Sequence, residues 1–164
     1  MQDNSLHKEL SIIGRAERID FLDDSARGIP AKIDTGADLS SVWATNIIEN
    51  MDGLSFTLFA PKNEYYTGTV ISLPHGKFKR TRIANSFGEK EMRYVVVLRV
   101  LVKGRRIKST FSLANRSSKI YPVLLGRRLL NRKFLVDVST GQPLIDAEQK
   151  KHAKLQVELK RQQA

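Results

Sequence analysis

Asp34-Thr35-Gly36-Ala37-Asp38 stands directly after the apolar approach Ile29-Pro30-Ala31-Lys32-Ile33. That arrangement delivers a carboxylate at the end of a strand. The strand fixes its position, the Thr35 hydroxyl is expected to tie the loop down, and Gly36 lets the backbone turn tightly beside a bound molecule. The matching chemistry is hydrolysis by general acid and base, which needs two carboxylates sharing one proton. Only one Asp-Thr-Gly occurs in the 164 residues. A second copy of the chain must then supply the other carboxylate, and a symmetric dimer is expected.

A second segment belongs beside this loop. Tyr121-Pro122-Val123-Leu124-Leu125-Gly126-Arg127-Arg128-Leu129-Leu130 reads as an apolar strand that breaks at Gly126 into a short helical turn. The rest of the chain is a succession of short segments rich in β-branched and aromatic residues, broken by Gly, Pro, Asn and Asp. Strands are predicted over 12–13, 18–22, 29–33, 54–59, 65–73, 78–84, 92–102, 105–113, 122–125 and 134–138. Lys103-Gly104 predicts a tight hairpin, and Asn85-Ser86-Phe87-Gly88 a second one. Strands at this spacing predict an all-β barrel or sandwich rather than a parallel α/β fold. The only long helix expected is a charged tail from about Asp146 to Arg161. It is polar nearly all round, so it should project rather than pack.

Composition narrows the partners. The length suits one domain with a modest core, read as an arm over 1–10, a domain over 11–145 and the tail over 146–164. No apolar run approaches the roughly 20 residues of a membrane span, and the first ten residues lack the apolar centre of a signal peptide, so a cytoplasmic location is expected. The chain has no Cys, which removes disulfides, thiolate metal sites and thiol catalysis. Net charge is +11. It is concentrated in residues 77–133, which hold 17 Lys and Arg against Glu89 and Glu91. Such a field attracts an acidic peptide or a nucleic acid equally well.

Taken together, these motifs resemble the retropepsin-like aspartic peptidases of bacteria and archaea often labelled ATP-dependent zinc proteases. Some members are encoded beside RimK-type ligases, which add glutamates to a ribosomal protein. The resemblance runs from about Ile12 to Val138. It rests on Ile13-Gly14-Arg15-Ala16-Glu17, on Ala31 to Ala37 with Ser40-Ser41, and on Arg82-Ile83-Ala84-Asn85-Ser86-Phe87-Gly88 with Glu91-Met92-Arg93. Leu124-Leu125-Gly126-Arg127 and Phe134-Leu135-Val136-Asp137-Val138 complete it. The label itself is not matched. His7, His75 and His152 are widely separated and form no His-Glu-x-x-His, and no Gly-x-x-x-x-Gly-Lys-Ser/Thr loop is present. Neither a metal nor a cofactor is expected.

The resemblance implies a closed acid-protease barrel and a homodimer in which two Asp34 side chains meet on the two-fold axis. At about 3 Å they would repel by roughly 5 kcal/mol at an effective dielectric near 20, so they share a proton. Thr35 would hydrogen-bond across the axis. Ala37 stands where many aspartic peptidases carry a hydroxyl that bonds the carboxylate, so this pair should work nearer neutrality. Asp38 would contact substrate and form a buried pair with Arg127, while Leu125 and Gly126 support the loop. The flap would be the hairpin between Arg80 and Arg93, with Ser86, Phe87 and Gly88 touching substrate. The substrate expected is a peptide or protein, acidic or glutamate-rich, with an isopeptide bond also open. The alternative is a non-catalytic module that docks on RNA or a ribosomal protein through its basic face.

Overall fold

The computed structural model describes residues 9–84, 88 and 90–162. Its strands are β1 (Ser11–Ile13), β2 (Ala16–Phe21), β3 (Ile29–Ile33), β4 (Ser40–Asn50), β5 (Gly53–Leu58), β6 (Val70–Leu73), β7 (Phe78–Ala84), β8 (Lys90–Val102), β9 (Arg105–Ala114), β10 (Val123–Leu125) and β11 (Phe134–Val136). The helices are α1 (Arg127–Leu130) and α2 (Ile145–Gln162).

Six strands close on themselves. Following the hydrogen bonds from β10 leads through β3, β2, β8, β9 and β4, and β4 returns antiparallel to β10 through Val42–Val123 and Ser41–Leu124. The all-β barrel is therefore present: the strand pattern left barrel or sandwich open, and the closed form is the one the resemblance implies. Closure leaves no free edge within the ring. β5 and β6 extend the sheet outward from β4, and β7 pairs with the first half of β8.

Alternation builds the interior. In β8, Val96, Leu98, Val100 and Val102 point inward and are buried, while Val97 and Arg99 between them are exposed. Phe21 sits at the centre, edge-on to Phe111 at 5.6 Å and to Phe59 at 6.3 Å between ring centroids. The β8–β9 hairpin turns at Lys103 and Gly104, both with positive φ (49° and 75°). That is the twist a two-residue hairpin needs, and it explains the Lys-Gly pair.

Two elements differ from the sequence reading. β4 is absent from the strands that the sequence predicts. It pairs parallel with β9 and antiparallel with β5, and its ladder shifts register between Thr45 and Ile48, around Asn46 at φ 51°. The predicted strand over 65–73 is reduced to β6. Thr67 and Thr69 bond the Asp24 loop, and Gly68 has φ 76°, so this stretch runs as a loop. α2 follows the predicted tail closely and buries none of its residues. Among the described residues no helix is long and apolar enough to cross a membrane.

Candidate functional site

Parallel pairing of β3 with β10, Ile33 opposite Leu125, brings the Asp34 loop and the Gly126 turn side by side. Backbone bonds then stitch them together. Asp34 N–H donates to the Leu125 carbonyl at 2.9 Å, Arg127 N–H to Ala37 O at 2.8 Å, and Arg128 N–H to Asp38 O at 3.1 Å. Gly126 N–H donates to the buried Ser40 Oγ at 3.1 Å. Leu125 and Leu129 are fully buried beneath this junction. The loop is held by the fold on both sides.

The Asp34 carboxylate is itself oriented. Its Oδ1 accepts the N–H groups of Gly36 at 3.1 Å and Ala37 at 3.2 Å, leaving Oδ2 without a partner among the described residues. A Cβ on Gly36 would lie 3.2 Å from that same Oδ1. Gly36 is not in the left-handed region, so the position calls for space beside the carboxylate rather than for an unusual backbone turn.

Three expectations need correction. Thr35 is exposed, and among the described residues its hydroxyl does not tie the loop down; its carbonyl accepts from Arg127 instead. Arg127 Nη1 donates to Thr35 O at 3.1 Å and Gly36 O at 2.7 Å. Asp38 consequently pairs closely with Arg128, at 2.8 Å, and only distantly with Arg127, at 4.0 Å. That trio is exposed in the single chain rather than buried, with Arg127 Nη1 spent on the loop carbonyls. In the flap, β7 and β8 pair from Phe78–Val96 to Ala84–Lys90. Gly88 is exposed with φ 79°; Ser86 and Phe87 lie outside the described residues.

A cleft of about 670 Å³ opens beside Asp34. The Asp34–Leu39 loop forms one wall, and Arg82, Ile83, Ala84 and Arg93 of the flap hairpin form another. Ser41, Ser112 and Leu124 lie on its floor, with Arg116, Lys119 and Arg127 at its sides. Five cationic side chains thus face two carboxylates. Burial pulls the Arg116 guanidinium down to about 10, the Arg93 charge pushes it the same way, and the Asp34 charge opposes both. Arg116 carries no local signal in the sequence, since it sits in a loop between β9 and β10 and reaches the cleft only through the closed barrel. Among the described residues no three His, Cys, Asp or Glu side chains gather as a metal-binding group.

A family model described as Retropepsin-like aspartic endopeptidase RimB matches residues 12–143. Two proteins named "Probable alpha-L-glutamate ligase", from Shewanella pealeana and Shewanella halifaxensis, are each 33% identical over 143 residues, which is 85% of this chain. The chain spans 30% of the length of those relatives. A crystal structure of a Legionella pneumophila protein with unknown function is similar, with a TM-score of 0.61 and 25% identity, over 81% of this chain and 97% of that one. The chain belongs to the RimB-like family of retropepsin-like aspartic endopeptidases.

Proposed function

We propose that the chain is an aspartic peptidase whose active form pairs two copies of Asp34 across a two-fold axis, and that it hydrolyses peptide bonds in acidic, glutamate-rich substrates. The observation that carries this reading is the Asp34 carboxylate itself. It is fixed through Oδ1, open at Oδ2, and placed at the wall of a cleft of substrate size. One Asp34 of the pair takes a proton from a bound water while the other donates one to the scissile carbonyl. Neither can do both at once, so the single chain holds half a site.

Two features favour the pairing. Thr35 and Gly36 form an exposed loop tip that a second copy can approach. The outer residues Ile12 and Leu135 stand opposite each other in the β1–β11 ladder with 59% and 57% exposure, an apolar patch suited to burial against another chain. The five cationic side chains around the cleft favour an anionic peptide, and the relatives' name links the family to α-L-glutamate.

The test uses acidic, neutral and basic peptides of equal length, with wild type and Asp34→Asn, at low and moderate salt. Wild type should cleave the acidic peptide fastest, losing that preference as salt rises. Asp34→Asn should abolish cleavage and leave the melting temperature in place, since Asn Oδ1 still accepts the two loop N–H groups. Undiminished turnover in Asp34→Asn would sink the aspartic mechanism.

A second reading, a module docking on RNA or a ribosomal protein, draws on the outer face of β8 and β9. Exposed Arg99 and Lys108 stand opposite each other there, and exposed Arg106 follows. Binding of an RNA oligonucleotide that Arg106→Glu removes and Asp34→Asn does not would favour it.

A further inference from the structure

We propose that Arg116, Arg93 and Ser41 form a subsite that reads a carboxylate side chain of the substrate beside Asp34. It rests on Asp34 being the hydrolytic carboxylate, and goes further by assigning the residues that select the neighbouring substrate side chain.

The floor of the cleft is set by register. Leu124, Ser41, Ser112 and Val95 form one row across β10, β4, β9 and β8, so their side chains share a face. Arg93, two residues before Val95, lies on that same face of β8. Ser41 is only 6% exposed, and its Oγ has no hydrogen-bond partner among the described residues. A buried hydroxyl without a partner is destabilising unless something in the cleft satisfies it. Ser112, beside it, spends its hydroxyl on the Ser40 carbonyl at 3.4 Å.

Arg116 is positioned rather than free. Its Nε donates to the Tyr121 carbonyl at 3.0 Å, which fixes the plane of the guanidinium and leaves both terminal nitrogens available. It makes no ion pair among the described residues. Arg93 has a side-chain exposure of 18% and holds Glu91 through Nε at 2.9 Å and Nη2 at 2.8 Å, leaving Nη1 over. With Arg93 already paired to Glu91, the Arg116 guanidinium is the one in this partly desolvated cleft left without an ion-pair partner among the described residues. A carboxylate side chain fits the fork of Arg116 in two parallel bonds and can accept from Ser41 Oγ. Because a fixed fork is involved, this recognition differs from attraction to a positive surface.

The experiment measures binding of an oligoglutamate peptide, and of an oligoglutamine peptide of the same length, to the full chain carrying Asp34→Asn. The oligoglutamate should bind at least about tenfold tighter. Adding Arg116→Lys, which keeps the charge and loses the fork, should weaken oligoglutamate binding about tenfold, whereas Arg106→Lys on the outer face should change nothing. Ser41→Ala should weaken it about threefold without lowering the melting temperature, since that hydroxyl bonds nothing in the fold. Equal binding of the two peptides overturns the subsite, as does parental affinity in both Arg116→Lys and Ser41→Ala. Should Arg116→Lys fail to fold, Ser41→Ala and Arg93→Lys decide, and parental affinity in both overturns it. Selective oligoglutamate binding by a wild-type chain that hydrolyses nothing would refute the peptidase reading and leave the subsite standing.

Discussion

A Cβ placed on Gly126 would stand 2.6 Å from the carbonyl carbon of Leu39. The obstruction is backbone, which has no rotamer to escape into, and the Ala37 carbonyl lies 2.9 Å away on the same side. Gly126 therefore sets how closely the α1 turn approaches the loop that carries Asp34. Gly126→Ala should cost about 1–3 kcal/mol and lower the melting temperature by roughly 5 °C. Turnover should fall about a hundredfold, since displacing a reacting group by about an ångström has that effect. A thermal melt with parallel peptide hydrolysis checks both, and a melt unchanged from wild type would show that the junction can give.

Arg127 tests the loop from the other side. Its guanidinium is half exposed, so losing the bonds to the Thr35 and Gly36 carbonyls should cost only about 1 kcal/mol of stability. The loop tip loses its brace, however, and hydrolysis in Arg127→Ala should fall about tenfold or more. Arg127→Lys should recover part of that loss, because the single nitrogen Nη1 makes both carbonyl bonds and an ammonium has donors for two. Full activity in both variants would mean that the backbone bonds from Arg127 and Arg128 hold the loop unaided.

The contrast between Asp34 and Arg116 shows what could be read from the sequence. Asp34, Gly36, Leu125 and Gly126 were legible because each obeys a local rule: a strand end, a tight approach, an apolar strand broken by Gly. The all-β class was legible from the succession of short β-branched and aromatic segments and from the Lys103-Gly104 turn, although Val95 to Leu98 are all apolar and hide the alternation of β8. β4 was hidden because its second half, Trp43 to Asn50, is mostly polar or exposed and its pairing shifts at Asn46. The partner of Asp38 was misassigned because Arg127 and Arg128 are adjacent. Only the competing carbonyls of Thr35 and Gly36 decide which guanidinium is left for the carboxylate. Arg116 needed the closed barrel before it could be placed near Asp34 at all.

Asp24 offers a test of the loop between β2 and β3. It is 1% exposed, bonded through Oδ1 to the Thr67 hydroxyl, and its Oδ2 has no partner among the described residues. Burial raises its carboxyl above the ordinary range, and the Thr67 bond offsets part of that rise. A raised carboxyl favours the folded state most at pH below its unfolded value of about 3.9, and that contribution is lost as pH rises through the folded value. Asp24→Asn cannot ionise. The melting temperature of the mutant minus that of wild type should therefore increase from pH 4 to pH 8. A difference that stays flat or shrinks over that range would mean that Asp24 ionises without penalty.

Helix α2 buries no side chain, so its attachment to the barrel rests on a few polar contacts at its start. Glu148 is central to them. Arg15 Nη1 donates to both of its oxygens, at 3.2 and 3.0 Å, and the Tyr121 hydroxyl donates to Oε1 at 2.7 Å. The same Tyr121 oxygen accepts the Leu144 N–H at 2.8 Å, which ties the chain entering the helix to the barrel. Burial by itself would raise the Glu148 carboxyl. The bonds from Tyr121 and Arg15, with the charges of Arg15 and Lys32, outweigh it and hold the carboxyl below its ordinary value. A depressed carboxyl stabilises the docked state above its unfolded value of about 4.3, and that stabilisation is lost as pH falls through the docked value. Amide protection in the first turns of α2, taken against the intrinsic exchange rate at the same pH, should therefore fall below about pH 4, because an isolated charged helix of this length is marginal in water. Glu148→Gln should produce the same loss of protection at neutral pH and abolish the pH dependence of that protection. The melting temperature of the barrel should move little in that variant, since no apolar contact is lost. Identical protection at pH 3 and pH 7 in the wild type would show that α2 is held by something other than the Arg15–Glu148–Tyr121 contact.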